Sequence, residues 1–183
     1  MEVDMRAAAD LAATKLAEAL PRRWVHVQAV AAKAQRISGA VSEPDLLVSA
    51  AWLHDIGYAP DVAETGLHSL DGARWLVRHG WDTRLAGLVA NHSCALYEAE
   101  ERGLAEFLDA EFPRERSATA DALWFADMTT GPDGQDLTVD ERLREIRRRY
   151  GPEDAVTRFW RRAEPSLLRA VERTQARLSD QPM

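Results

Sequence analysis

Hydrophobic residues recur at intervals of three or four positions along most of the chain, with polar residues between them. This spacing is typical of amphipathic α-helices, because it places the hydrophobic side chains on one face. Alternating runs of β-branched residues are missing, and no Asn-Gly or Asp-Gly pair separates two strand-like runs. The pattern therefore predicts an all-α protein folded as a helical bundle.

Start and stop signals divide this pattern into separate helices. The first is predicted over about residues 5–19 and the second over about 22–38, with Gly39 as its C-terminal stop. Ser42, with Asp45 three residues later, predicts the N-terminal cap of a third helix that runs through Leu53. Two further helices are predicted over about 69–79 before Gly80 and from an Asp82 cap to about Asn91. Short helical pieces are predicted over 95–110, followed by a longer helix after Pro113 through Ala126. The last helices are predicted from a capping box at Thr138 and Glu141 to about Tyr150, and in two stretches separated by Pro165.

Length and composition place these helices in one domain. The chain has 183 residues, of which 46% are hydrophobic and 29% are charged, and such a chain can bury a sizeable core. We find no repeat and no domain boundary, so residues 1–183 are predicted to form a single domain. The single cysteine, Cys94, excludes an internal disulfide. Because no signal peptide and no apolar run of roughly 20 residues is evident, we expect a cytoplasmic protein with no membrane partner.

The charge distribution argues against a nucleic acid polymer as the partner. The formal net charge is −7, whereas general nucleic-acid binders use positive charge to neutralise phosphates. The acidic excess lies in residues 1–137, because the remaining residues include 11 basic and 8 acidic side chains. The run Arg147-Arg148-Arg149 is interpreted as the basic last turn of a helix rather than as a polyanion-binding patch.

Ionisable residues interrupt several otherwise apolar segments. The third helix is apolar almost all round, which predicts a central buried position, and His54 and Asp55 follow it directly. His26, His92 and Asp127 lie within or at the end of three other apolar segments. Burying such groups unpaired costs free energy on the order of several kcal/mol. A capping histidine and a hydrogen-bonded aspartate explain an isolated His-Asp pair, but a metal ion explains the whole set.

The order of these residues resembles the signature of the HD superfamily of metal-dependent phosphohydrolases. That signature consists of a histidine, a His-Asp pair and a distal aspartate, and it is matched here by His26, His54-Asp55 and Asp127. The resemblance covers about residues 20–130, which we take as the metal-site core. The C-terminal helices over 138–179 match no functional motif.

Two further histidines extend the resemblance to the binuclear branch of the superfamily. His68 and His92 fall where that branch supplies two extra ligands, and the helix order looks most like that of the YqeK-type dinucleoside tetraphosphate hydrolases. Many binuclear relatives carry a lysine shortly after the His-Asp pair, where this chain has Tyr58 and Ala59. That departure argues against a phosphate-binding cation in this loop. The remaining histidine, His79, has no counterpart in the signature.

The resemblance implies two divalent transition-metal ions and a hydrolytic reaction. The first ion is assigned to His26, His54, Asp55 and Asp127. Asp55 bridges to the second ion, which is assigned to His68 and His92. Such nitrogen and oxygen ligands suit iron, manganese, zinc, cobalt or nickel. The implied reaction is attack by a bridging metal hydroxide on a phosphate ester or anhydride of a nucleotide-like or other small molecule, with His54 and Asp55 as the catalytic pair.

Substrate phosphate requires cationic, hydroxyl or aromatic partners near these ligands. Each candidate lies close in sequence to a predicted ligand, and each also fits a solvated surface position. The candidates are Arg22, Arg23, Lys33, Tyr58, Arg74 and Thr130.

Two alternative functions stay open at this point. Some members of the superfamily use the same six ligands in a mixed-valent di-iron oxygenase, so ligand identity does not separate oxygenase from hydrolase. The other alternative is a non-catalytic helical module that binds a nucleotide or a partner protein. The oligomeric state, a homodimer included, is also open.

Overall fold

The architecture comes from a computed structural model, which describes residues 3–180. This part of the chain forms ten α-helices and three short 3-10 turns, and it contains no β-strand. The α-helices are α1 (Met5–Leu16), α2 (Pro21–Arg36), α3 (Pro44–Leu53), α4 (His68–Arg78), α5 (Thr83–Ala90), α6 (Ala95–Glu101), α7 (Ala105–Glu111), α8 (Ala118–Met128), α9 (Val139–Tyr150) and α10 (Ala155–Ser179). The 3-10 turns are Ser38–Ala40, Ile56–Tyr58 and His92–Cys94. The predicted all-α fold is confirmed.

The helix α3 lies at the centre of the bundle, as its apolar sequence predicts. It packs against α1, α2, α5 and α8, and Leu47, Ala50 and Leu53 are fully buried. Burial of one leucine side chain contributes about 1.5–3 kcal/mol. The neighbours of α3 therefore fix the position of the two residues that follow it, His54 and Asp55.

Most of the predicted helix ends are confirmed. Asp82 caps α5 by accepting a hydrogen bond from the backbone N–H of Leu85 at 2.8 Å. Thr138 and Glu141 form the predicted capping box at the start of α9. Gly80 follows α4 with a φ of +77°, a left-handed conformation that glycine adopts without a steric cost.

Two predicted helix boundaries, the end of α2 and the start of α3, are wrong. The residue that caps α3 is Glu43 rather than Ser42, and its side chain makes no capping hydrogen bond. Pro44 begins the helix instead, because proline lacks the N–H that the first turn leaves unpaired and has a helical φ. Gly39 does not end α2, which stops at Arg36. It lies within the 3-10 turn that follows.

The predicted break at Pro165 is also wrong, because α10 continues through it. A proline in a helix removes one hydrogen bond and crowds the preceding turn. Pro165 is exposed, so water can reach the carbonyl group that loses its partner. On the opposite face Phe159, Ala163 and Leu167 are buried, and their packing holds the helix together.

The C-terminal helices pack over one end of the bundle. A second hydrophobic cluster joins Leu143 and Ile146 of α9 and Trp160 of α10 to Trp124 and Met128 of α8. This cluster brings α9 and α10 next to the C-terminal end of α8, where Asp127 lies. In the described range, no helix combines the length and the hydropathy that crossing a membrane requires.

Candidate metal centre

Five helix segments bring their ionisable residues to one place. His54 and Asp55 follow the last residue of α3, and His92 begins the 3-10 turn that follows α5. His68 is the first residue of α4, and Asp127 lies in the last turn of α8. His26 projects from the middle of α2. All but His68 are buried, and the side chain of His68 is only 12% exposed.

The first of two clusters consists of His26, His54 and Asp127. The Nε2 atom of His26 lies 3.0 Å from Oδ1 of Asp127, and Nε2 of His54 lies 3.8 Å from the same oxygen. All three potential ligand atoms lie within 4.8 Å of one another, a spacing that could hold a metal ion.

The second cluster consists of Asp55, His68 and His92. The Oδ1 atom of Asp55 lies 3.5 Å from Nε2 of His68 and 3.8 Å from Nε2 of His92. The two Nε2 atoms are 3.2 Å apart. This trio also satisfies the 4.8 Å spacing.

Asp55 lies between the two clusters. Its Oδ1 faces His68 and His92, whereas its Oδ2 lies 3.4 Å from Nε2 of His54 and 3.9 Å from Nε2 of His26. One carboxylate therefore presents one oxygen to each group of histidines. All six residues assigned as ligands from the sequence are thus brought together.

Backbone carbonyls orient three of the four histidine rings. The Nδ1 atom of His26 lies 2.9 Å from the Gly131 oxygen, and that of His54 lies 2.7 Å from the Ala51 oxygen. A similar contact of 2.6 Å joins His92 to Val89. Because a carbonyl oxygen can only accept, each Nδ1 donates, and Nε2 is the nitrogen that faces the clusters and can bind a cation when it carries no proton.

His54 provides a direct test of whether these residues fit a metal ion. Its Nε2 is fully buried and has no hydrogen-bond partner among the described residues. Asp55 Oδ2 lies 3.4 Å away without hydrogen-bond geometry. An unpaired buried polar atom is costly, and a cation bound between His54 and Asp127 removes that cost. The residues present therefore fit a divalent transition metal.

The electrostatics of the site keep the second cluster in the protonation state that a cation needs. Burial lowers the pKa of His68 to about 3 despite the opposing charge of Asp55, and burial likewise lowers the pKa of His92. Burial opposes ionisation of Asp55, but the charges of His54 and Arg23 hold its pKa well below its usual range. At neutral pH both histidines are therefore neutral and the carboxylate is ionised.

The first cluster attracts positive charge more strongly. Burial disfavours a charge on His54, but the Asp55 carboxylate outweighs it and raises the pKa of His54 to about 9. For Asp127, the opposing effect of burial is overcome by His26 and His54, and its pKa lies far below its usual value. The negative charge that favours a proton on His54 also favours a metal ion, which would displace that proton.

The backbone after His92 is strained. Ser93 and Cys94 have φ values of 44° and 62°, a left-handed conformation that costs a non-glycine residue about 1–3 kcal/mol. The turn carries the Ser93 hydroxyl to Oδ2 of Asp127, to which it donates a hydrogen bond. The strain is thus offset by contacts that fix His92 and Asp127 relative to each other.

Gly57 permits the close approach that brings His68 to Asp55. A Cβ atom at this position would lie 1.8 Å from the backbone oxygen of His68 and 2.8 Å from the backbone nitrogen of Gly72. Only glycine therefore fits where the turn after Asp55 meets the first turn of α4.

A cavity of about 260 Å³ adjoins both clusters and is lined by Asp55, His68 and Asp127. Two of the substrate contacts expected from the sequence, Arg23 and Tyr58, line it as well.

Arg23 occupies the side of this cavity next to Tyr58. Its guanidinium donates to Oδ2 of Asp55 at 2.8 Å and stacks on the Tyr58 ring at 4.0 Å. Tyr58 in turn stacks on His68, with 4.1 Å between the ring centroids. A cation from α2 therefore lies beside the loop that follows Asp55.

Arg22 and Arg74 are not brought to this cavity. Arg22 pairs with Asp133 at 2.6 Å and lines a neighbouring cavity instead. Arg74 forms a surface ion pair with Glu111. The structure thus places Arg74 in a surface salt bridge rather than beside the clusters.

The structure also places Lys33 and Thr130 away from this cavity. Lys33 is buried and donates to the hydroxyl of Thr129 at 2.8 Å, while it pairs with Asp136. The Thr130 hydroxyl donates to the backbone oxygen of Ala126 at 2.7 Å. Neither residue lines the cavity. Both hold the loop after α8, which supplies the carbonyl group that orients His26.

Several residues around the cavity were not identified from the sequence. Ser93 and Glu98 line one side, while Arg142, Arg149 and Trp160 line another. The arginine run at the end of α9 was interpreted as a helix end, and of its three residues only Arg149 reaches the cavity. An arginine on a polar helix carries no local signal of a site, because solvated arginines follow the same pattern.

Comparison with known families gives one match. The family model of the HD domain matches residues 23–128, which is more than half of the chain. The matched segment includes all six clustered residues, from His26 to Asp127. No curated protein and no solved structure matches the chain.

Proposed function

The chain belongs to the HD domain family, and we propose that it is a metal-dependent phosphohydrolase. Its substrate would be a phosphate ester or anhydride of a nucleotide-like or other small molecule. The observation that carries this proposal is the position of Asp55, whose two oxygens face two groups of histidine Nε2 atoms next to an arginine-lined cavity.

We propose that the centre holds two divalent transition-metal ions. His26, His54 and Asp127 would bind one ion, His68 and His92 the other, and Asp55 both. The support is the division of the ligand atoms into two sets, each within 4.8 Å. When bound, two such ions activate water as a nucleophile and stabilise the oxygens of a phosphoryl group during an in-line displacement. Iron, manganese, zinc, cobalt and nickel all suit this donor set.

Arg23 is the proposed partner of the scissile phosphate. Among the described residues, its hydrogen bond to Asp55 uses the NH1 atom, which leaves other N–H groups of its fork to donate to phosphoryl oxygens. Stacking on Tyr58 holds the guanidinium at the cavity wall. Arg23 would thus supply the positive charge that the loop after Asp55 lacks.

The proposed function can be tested with protein loaded separately with each candidate metal. We expect hydrolysis of p-nitrophenyl phosphate or of nucleotides, and release of inorganic phosphate, with at least one metal. His54→Ala should abolish this activity, and His79→Ala should retain it, because His79 lies outside the centre at the end of α4. Iron-dependent consumption of dioxygen without any phosphate release would contradict the proposal and favour an oxygenase.

A further inference from the structure

The C-terminal helices supply one wall of the cavity beside the metal centre. Arg142, Arg149 and Tyr150 of α9 and Phe159 and Trp160 of α10 line it. All five lie outside the segment that the HD domain family matches. This wall therefore belongs to the part of the chain that distinguishes it from the family's shared core.

Arg142 is a buried cation with an unused donor. Its residue is only 7% exposed, and one of its terminal nitrogens pairs with Glu145. Its Nε is buried without a hydrogen-bond partner in residues 3–180. A buried donor on a charged group is costly when it stays unpaired. Because Arg142 lines the cavity, an anion bound there can compensate its buried positive charge.

The charges around Arg142 favour an anion. Glu145 also accepts from Arg149 at 2.8 Å, so in residues 3–180 one carboxylate pairs with two guanidinium groups, a local excess of one positive charge. Arg149 is partly exposed, with 32% of its side chain accessible. Both arginines also line the neighbouring cavity of about 340 Å³, which borders His26. The two arginines therefore stand between the metal centre and additional open space.

We propose that Arg142 and Arg149 form a second anion subsite that selects substrates with a second phosphate group. Substrates would be diphosphates or longer phosphoanhydrides, with the scissile phosphate at the histidine clusters and the next phosphate at the two arginines. The reaction rests on the proposed phosphohydrolase function, but the binding of the second phosphate does not.

The subsite can be tested by calorimetry with two ligands that are not hydrolysed, methylphosphonate and methylenebisphosphonate, on metal-loaded protein. Arg142→Gln should weaken binding of the bisphosphonate by about tenfold or more, since hydrogen bonds to charged groups contribute about 1.5–3 kcal/mol. Binding of methylphosphonate should change less than about twofold. The matched control is Arg148→Gln, because Arg148 lies on the same helix, is exposed and lines neither cavity.

Two other variants keep the test decisive if Arg142→Gln does not fold. Arg142→Lys retains the buried charge but not the planar guanidinium group, and Arg149→Gln changes a partly exposed side chain. Each should reduce the preference for bisphosphonate over methylphosphonate. Equal effects on the two ligands, or no effect on either, would overturn the subsite.

A parallel kinetic measurement separates this inference from the proposed function. For active protein, the ratio of kcat/KM for a nucleoside diphosphate over the monophosphate should fall about tenfold or more in Arg142→Gln. Loss of bisphosphonate binding in a protein that hydrolyses no phosphate compound would support the subsite and refute the hydrolase. Hydrolysis with an unchanged kcat/KM ratio in Arg142→Gln would support the hydrolase and refute the subsite.

Discussion

At the scale of single residues, the histidines are oriented by the protein itself. Carbonyl groups of Ala51 and Val89 lie one turn before His54 and His92, so each ring is fixed by the helix end that carries it. Such contacts fix the tautomer and leave Nε2 free for a metal. The geometry needed for binding is thus present in the folded chain, and little ordering remains when an ion binds.

Asp55 is the residue whose change should have the largest effect. Asp55→Asn preserves the size of the side chain and removes the charge that faces both clusters. Loss of a residue that only supports a metal ligand typically lowers metal affinity or activity by about 10–100-fold. Because Asp55 is assigned as a ligand itself, we expect the activity of Asp55→Asn to fall by more than about 100-fold. Phosphate release and metal content measure this effect, and His79→Ala provides the control. Normal metal content in Asp55→Asn would refute the ligand assignment.

Five of the six clustered residues could be predicted from the sequence because each is an ionisable residue in an apolar setting, and the sixth, His68, followed from the resemblance to the binuclear branch. Burial makes such residues require partners, and their order points to a known signature. Arg142 could not be found in this way, because α9 is rich in arginine and only the folded chain shows which one is buried. The position of Lys33 could not be predicted either, because its partner Asp136 lies about 100 residues further along the chain.

At the scale of elements, the contact between the turn after Asp55 and α4 positions the second cluster. Gly57→Ala would place a methyl group against the backbone of His68 and force α4 away. We expect the free energy of unfolding to fall by about 2–4 kcal/mol, and His68 to move away from Asp55. Chemical denaturation and metal content measure the two effects.

Gly87 provides the matched control for this substitution. It lies within α5, and nothing lies within 4 Å of a Cβ added there. Gly87→Ala should raise the free energy of unfolding by about 0.5–1 kcal/mol, because alanine favours a helix. A comparable loss of stability in both variants would contradict the account of the contact at Gly57.

The proline within α10 should lower the stability of that helix. Pro165→Ala should raise the free energy of unfolding by about 1–3 kcal/mol, because it restores a helical hydrogen bond on an exposed face. Urea denaturation measures the change. A lower stability of the variant would show that the proline is required for the packing of α10.

Helix ends were predicted well where a side chain caps the helix and poorly where packing decides. Asp82 and Thr138 are capping residues, so the local sequence itself marks the start of each helix. The continuity of α10 depends on Trp160 and Leu167 and their contacts with α8 and α9, which the local pattern around Pro165 does not contain. Tertiary packing overrides a local preference of a few kcal/mol in such cases.

At the scale of the whole molecule, the chain combines a family core with its own C-terminal wall. Residues 23–128 contain all six clustered residues, whereas α9 and α10 contribute Arg142, Arg149 and aromatic rings to the wall of the cavity. We infer that the chemistry belongs to the core and the choice of substrate to the wall. The sequence predicts the extent of the core, but the contribution of α9 and α10 to the cavity depends on where they pack, which the sequence alone does not show.

The most direct test of the central claim is the number of transition-metal ions per chain, measured by elemental analysis. The protein should be purified without chelators and without a nickel column. We predict about two ions per chain for the unaltered protein and about one for the double variant His68→Ala/His92→Ala. One ion in the unaltered protein, with no change in the double variant, would contradict a second metal at Asp55, His68 and His92.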